Sequence, residues 1–235
     1  MNLTEQISKE ELLKYFLFDD TEDVMERLMN FNRLMMKYRS AIREVTTKLE
    51  VLNDELSLFY GSRNPIESIQ SRIKKPLSIA QKLTRMGKPV TVENMEACLN
   101  DVAGIRVICP FIEDIYHVAE MLAVQDDIDV ITVKDYIQKP KENGYRSYHM
   151  IVEVPVFFSK CKELMRVEVQ IRTVAMDFWA SLEHQIKYKK EIPGHKSIIR
   201  DLKACADIIA ETDKKMQDLR HRIDYGTDDL QEVEK

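Results

Sequence analysis

The sequence predicts an α+β protein: a mixed five-stranded β-sheet packed with helices and flanked by long N- and C-terminal helices. Three observations predict it. Helical and strand periodicities interleave through the middle of the chain. The strand patterns between 128 and 171 follow one another with no helix between them, which argues against a doubly wound parallel sheet. Both arms carry apolar residues at heptad spacing.

The elements follow in order. Val24, Leu28, Phe31, Met35, Tyr38, Ile42, Val45, Leu49, Leu52, Leu56 and Phe59 alternate steps of four and three, and Gly61 stops the helix. "NPIE" at 64–67 reads as a helix start, with Asn64 as cap, Pro65 first inside and Glu67 closing a capping box. Residues 69–74 suit a short strand. Pro76 opens a helix to Gly87, and Thr91 opens another to about Leu99. "AGIRVIC" is a strand, and 113–124 a helix with Ile115, Val118, Ala119 and Leu122 inward. Strands follow at about 128–135, 146–156 and 164–171, then a helix over 174–190 ended by "IPG". Ile198, Leu202, Cys205, Ile209, Thr212, Met216, Leu219 and Ile223 form a second seam. This divides the chain into an N-terminal helical region (1–61), a core (62–192) and a C-terminal helix with an acidic tail (193–235). A 3.5-residue seam on both arms exceeds what one core needs, so at least one arm is expected to pack on another subunit.

Composition narrows the function. The 235 residues are 44% hydrophobic and 32% charged, with a net charge of −5. An acidic chain is not a general nucleic-acid coat, so any anion site must be a local patch. Cys98, Cys109, Cys161 and Cys205 show neither a CxxC nor a regular spacing. They read as buried, reduced thiols, and a cytoplasmic location without a signal peptide or membrane span is expected. No P-loop, dinucleotide fingerprint or HExxH is present.

The charges concentrate in a few places. "RIKKPLSIAQKLTRMGK" at 72–88 holds six cations and no acid. Within it Ser78, Lys82 and Arg85 share one helix face, suited to gripping a polyphosphate or simply to facing water. Asp101 precedes the "AGIRVIC" strand. Arg106 lies on it among apolar neighbours and needs a partner or ligand. In "RVEVQIRT" at 166–173 the alternation places Glu168, Gln170 and Arg172 on one face and Val167, Val169 and Ile171 on the other. Glu168 and Asp101 could meet on one hard cation. Mg²⁺ prefers few carboxylates plus phosphate oxygens. "KPKENGYRSYHMIVEV" at 139–154 feeds a turn of cations and flat rings straight into a strand, as if built to hold something.

"NGYRSYH", "VEVQIRT", "DVAGIRVIC" and "MDFWASLEH", in this order, resemble the synthetase domain of the RelA/SpoT family, over about residues 60 to 225. The chain is similar to the stand-alone small alarmone synthetases, and "NPIESIQSRIKK" resembles their RelP-like branch more than the RelQ-like one. The resemblance implies a nucleotidyltransferase-like synthetase fold that transfers pyrophosphate from ATP to the 3′-hydroxyl of GTP or GDP, releasing AMP. It implies that Arg72 and Arg106 sandwich adenine, and that Lys74, Ser78, Lys82 and Arg85 hold the ATP phosphates. Asp101 and Glu168 would hold Mg²⁺, with Glu168 taking or orienting the hydroxyl proton. Tyr145 would stack on guanine, with Asn143 and the Ala180 backbone at its edge. Lys134, Lys141, His149 and Gln170 would lie near the GTP phosphates and ribose. Trp179 and His184 would be structural. Such proteins are synthesis-only homo-oligomers, typically tetramers, without a ribosome-reading module. RNA regulation has no support in this sequence. Two rivals remain: a family toxin acting on tRNA or adenine nucleotides, disfavoured by the acidic balance, and a coiled-coil nucleotide sensor without activity.

Overall fold

The computed structural model describes residues 21–188 and 195–225. The chain runs α1 (Thr21–Tyr60), β1 (Ser68–Ile73), α2 (Pro76–Arg85), α3 (Val92–Cys98), β2 (Ala103–Cys109), α4 (Ile112–Ala123), β3 (Asp129–Asp135), β4 (Tyr148–Phe157), β5 (Lys162–Thr173), α5 (Val174–Tyr188) and α6 (His195–Tyr225). The strands form one sheet in the order β1-β2-β5-β4-β3. β2 and β5 are parallel, and every other pair is antiparallel. This is the mixed, five-stranded α+β architecture expected.

Alternation along the strands splits the sheet into an apolar and a polar face. On β5, Met165, Val167, Val169 and Ile171 are buried, while Glu168 and Gln170 are half-buried on the other side. On β2, Ala103, Ile105, Val107 and Cys109 belong to the same core as the inward residues of β5. α1 closes that core with Phe31, Leu34, Met35, Tyr38, Ala41, Ile42, Val45, Leu49 and Leu56. Burying a side chain such as Leu34 or Leu49 contributes about 1.5–3 kcal/mol. The heptad stripe of α1 is therefore spent largely on its own sheet. A stripe of 3.5-residue period fits any flat apolar surface, and here the sheet supplies one.

α6 differs. Its inward face carries Ala206, Asp213 and Gln217, with Arg220 beside them, whereas Ile208, Met216, Leu219 and Ile223 are exposed. Asp213 accepts from Thr173 Oγ1 at 2.6 Å, and Arg220 donates to Asp114 at 2.6 Å. The Trp179 indole N–H donates to the Leu202 carbonyl at 2.9 Å. Ile198, Leu202 and Ile209 of this arm's heptad seam are half-buried, but its C-terminal positions Met216, Leu219 and Ile223 are not absorbed by their own domain.

Two local expectations fail. "NPIE" begins no helix. The Asn64 carboxamide accepts from the Ile66 N–H at 3.0 Å, an Asx turn, and the Glu67 N–H pairs with the Ile108 carbonyl at 2.8 Å. The β1–β2 ladder and burial of Ile66 outweigh a local capping signal. The cysteines are not uniformly buried either: Cys109 is, Cys98 is half-buried, and Cys161 and Cys205 are exposed. The "IPG" helix stop, the N-terminal residues before Thr21 and the tail "TDDLQEVEK" fall outside the described residues. Among those described, no helix is long and apolar enough to cross a membrane.

The remaining boundaries follow from chemistry. Pro76 sits at the first turn of α2, where a missing N–H costs nothing. Gly87, at φ +67°, ends α2 in a Schellman arrangement: its N–H reaches Thr84, and that of Lys88 reaches Leu83. Thr91 caps α3 through the Asn94 N–H.

Gly144, at φ +87°, sits where a Cβ would lie 2.5 Å from the Ala206 methyl of α6. Arg146 donates to the Gly144 and Ala206 carbonyls and pairs with Asp207. α6 thus seats directly on the turn before β4. Gly144→Ala is expected to cost about 1–3 kcal/mol from positive-φ strain alone, with the clash adding to it. Adding Ala206→Gly should return only the clash component. Urea unfolding midpoints measure both; an unchanged midpoint for Gly144→Ala would contradict the packing described.

Candidate functional site

The polar face of the sheet sets the site by register. Across the strands, Arg72 of β1 opposes Gly104 of β2, Gly104 opposes Glu168 of β5, and Glu168 opposes Ile151 of β4. One step along, Gln70, Arg106, Gln170, His149 and Lys134 form a second row. Residues far apart in sequence are thereby placed at strand spacing, about 4.8 Å apart.

An open cleft of about 480 Å³ lies over this face. Of the residues expected at a site, Arg72, Lys82, Asp101, Lys134, Lys141, Asn143, Tyr145, His149, Glu168 and Gln170 line it. Lys74 joins through Asp101, its ammonium 2.6 Å from Oδ2. Arg106 lines a smaller hollow of about 130 Å³ that it shares with Arg72, Gln70 and Gly104. Ser78, Arg85 and Ala180 do not line the cleft: Ser78 and Ala180 are half-buried on α2 and α5, and Arg85 is exposed in the last turn of α2.

Asp101 is the acidic end of the cation cluster. Lys74 and Lys82 both reach its Oδ2, at 2.6 and 2.8 Å. Burial pushes its carboxyl upward, but these two ammonium groups more than offset that and hold it below the usual carboxylate range. Its Oδ1 is buried without a hydrogen-bond partner. A desolvated, ionised and unpartnered oxygen facing a cleft fits a hard cation. Glu168 is the second carboxylate. Among the described residues no group of three or more His, Cys, Asp or Glu side chains is arranged to hold a metal. The donor set is a carboxylate pair, which suits Mg²⁺ completing its shell with phosphate oxygens rather than a structural metal.

Glu168 sits in a closed ring of hydrogen bonds. Arg172 Nη2 donates to the Tyr145 hydroxyl and to Gln170 Oε1, each at 2.6 Å. Gln170 Nε2 donates to Glu168 Oε2 at 2.7 Å, and His149 Nδ1 faces Glu168 Oε1 at 3.4 Å. The Tyr145 hydroxyl and His149 Nε2 close the ring at 2.8 Å. The ionised Glu168 carboxylate can only accept, so the neutral imidazole carries its proton on Nδ1, facing Oε1, and Nε2 accepts from the Tyr145 hydroxyl. Burial lowers the His149 pKa, as do Arg172 and Lys141, against the opposing pull of Glu168, so the ring is neutral at neutral pH. Burial raises Glu168, but His149 and Gln170 outweigh it, leaving the carboxyl lowered and ionised.

The far wall is aromatic. Tyr136 meets Tyr145 and His149 edge to face, with centroids 6.0 and 5.1 Å away. The Lys141 ammonium lies 4.6 Å from both tyrosine centroids. Asn143 donates to Glu183 at 3.0 Å, and Glu183 also lines the cleft. Tyr136, Glu183, Arg172 and Asp177 were not picked out from the sequence as site residues. Glu183 lies three residues beyond Ala180, so helical spacing could have flagged it. Tyr136 lies in an Asx turn after β3, where the Ile137 and Gln138 N–H groups both reach Asp135.

Fold and site together bring a cation cluster, a carboxylate pair and an aromatic shelf into one cleft beside an arginine-lined hollow. Comparison with known proteins narrows the class. The family model "Region found in RelA / SpoT proteins" matches residues 71–193. GTP pyrophosphokinase YwaC of Bacillus subtilis is 42% identical over 88% of this chain and 96% of its own. The crystal structure of small alarmone synthetase 1 from B. subtilis bound to its product pppGpp superposes at TM-score 0.75, with 34% identity, covering 82% of this chain and 97% of that one. The same enzyme bound to AMPCPP matches at TM-score 0.68, with 30% identity, over 83% and 99%. The chain belongs to the RelA/SpoT family.

Proposed function

We infer that this cleft is the active site of a GTP pyrophosphokinase, transferring the β,γ-pyrophosphoryl group of ATP to the 3′-hydroxyl of GTP or GDP. One cleft carries the reading: Arg72, Lys82, Asp101, Glu168 and Tyr145 line it together, and Arg106 lies in the adjoining hollow that shares Arg72. A donor and an acceptor nucleotide laid end to end meet at the carboxylates.

Each side chain then has a task. Arg72 and Arg106 stack on the adenine, since guanidinium planes pack on purine faces. Lys74 and Lys82, with Ser78 and Arg85 further along α2, receive the ATP phosphates. Tyr145 stacks on guanine. Asn143 and Glu183, with the Ala180 backbone, present acceptors and donors to its edge. The Glu183 carboxylate suits the two N–H groups of guanine and repels the acceptor edge of adenine, favouring a guanosine acceptor over the adenosine of the toxin branch. Lys134, Lys141, His149 and Gln170 hold the acceptor's phosphates and ribose.

The 3′-oxygen attacks the β-phosphorus in line, the 3′-O–Pβ bond forms, and the bridging bond to the α-phosphate breaks to release AMP. Glu168, held ionised, accepts the hydrogen bond of the attacking hydroxyl and takes its proton as the bond forms. A carboxylate this acidic is a poor base for the free alcohol, so transfer is late and orientation is its larger contribution. Mg²⁺ held by Asp101 and Glu168 would neutralise charge on the transferring group. We further propose that the enzyme is synthesis-only, cytoplasmic and of the RelP-like branch. The exposed seam of α6 supports assembly into a homo-oligomer, a tetramer.

The test supplies purified protein with labelled ATP, Mg²⁺ and GTP, GDP, tRNA or no acceptor. Guanosine penta- or tetraphosphate with an equal yield of AMP is expected; transfer to tRNA or to adenine nucleotides would move the function to the toxin branch, and no transfer would refute the enzymatic reading. Glu168→Gln should lower turnover by about 10²–10⁴-fold with nucleotide affinities little changed. Tyr145→Ala should weaken GTP binding by about 1–3 kcal/mol and leave an ATP analogue unaffected, as calorimetry would show. Equal losses for both nucleotides would contradict the shelf assignment.

A further inference from the structure

One carboxylate oxygen stands between the two halves of the site. Asp177 Oδ1, on the first turn of α5, lies 3.1 Å from Arg106 Nη1 and 3.2 Å from Arg172 Nη1. Arg106 belongs to the donor side, in the hollow with Arg72. Arg172 belongs to the acceptor side, where one of its nitrogens holds both the Tyr145 hydroxyl and Gln170. Its Nε reaches the buried Ser147 hydroxyl at 3.3 Å, so every edge of the guanidinium is engaged. Arg172 is 5% exposed, and neither it nor Asp177 lines the cleft. Arg106 Nε is buried with no partner, which leaves its orientation dependent on Asp177 and on whatever stacks against it.

We propose that Asp177 and Arg172 are positioning residues that couple the donor and acceptor subsites, so that each nucleotide tightens the binding of the other. This rests on the assignment of the two subsites above. A base stacked on Arg106 excludes water from its pair with Asp177 and strengthens that pair. The fixed carboxylate in turn holds Arg172, and Arg172 holds the acceptor platform Tyr145 and, through Gln170, the oxygen Glu168 Oε2. The frame is already formed in the free protein; the first nucleotide desolvates and strengthens the shared Asp177 pair, and the second binds against groups held more firmly. Reciprocity follows from linkage: the factor by which the ATP analogue improves GTP binding equals the factor by which GTP improves analogue binding.

The experiment is calorimetric titration of the full chain with GTP, with α,β-methylene-ATP, and with each in the presence of saturating amounts of the other. The wild type should show equal tightening in both directions, about fivefold or more. Asp177→Asn keeps the shape, removes the charge shared by the two arginines, and should bring the factor below about twofold, whatever it does to either affinity alone. A residue that only supports the fold would shift single affinities or stability and leave the ratio intact. Arg172→Lys, which keeps the charge but cannot reach all four partners, is the second variant if Asp177→Asn does not fold. A wild-type factor of one, or a variant that retains the full factor, overturns the proposal. Absence of binding by either nucleotide to the wild type would overturn the subsite assignment as well.

Discussion

Arg172 is a cation taken out of water, and much of the site is arranged around that fact. A buried guanidinium destabilises a fold unless its donors are matched, because the desolvation cost reaches several kcal/mol. Here Ser147, Asp177, Tyr145 and Gln170 surround it. Two of these are the groups that frame the acceptor shelf and the Glu168 carboxylate. The requirement to satisfy one buried charge therefore also fixes the orientation of a stacking ring, an imidazole tautomer and a carboxylate. Preorganisation of this kind lowers the entropy lost when substrates arrive.

The sheet supplies the second constraint. A central parallel pair, β2 and β5, sets Gly104 beside Glu168, the segment before β2 brings Asp101 into the same cleft, and the antiparallel neighbours bring Arg72 and His149 alongside. One face is committed to the core under α1, so a slip of one residue would exchange Glu168 with Val169. The apolar face protects the register of the catalytic face. α6 adds a further brace, through the contact of Ala206 with Gly144 and the bonds of Arg146.

Much of this was legible in the sequence. Strict alternation in "RVEVQIRT" placed Glu168, Gln170 and Arg172 together, and the absence of a helix between 128 and 171 gave a mixed sheet. The cation run before Gly87 marked the phosphate side. Local signals failed where tertiary pairing competes with them. Asn64 and Glu67 have the spacing of a helix start, but the ladder to Ile108 takes the backbone instead. Periodicity shows that a helix has an apolar stripe and says nothing of what covers it; for α1 the sheet does. Asp177 and Glu183 were missed because their partners, Arg106 and Asn143, lie on other elements, and only the packed chain brings them together.

The frame around Arg172 is formed before any nucleotide binds. Low-temperature, arginine-selective ¹⁵N NMR of the ligand-free protein reads it directly. A buried guanidinium fixed by Ser147, Asp177, Tyr145 and Gln170 should give separate, slowly exchanging Nη signals for Arg172, in contrast to the averaged signal of a solvated side chain such as Arg85. A single rotationally averaged Arg172 signal that sharpens and splits only on adding GTP would contradict the account, because the substrate would then build the site rather than enter it.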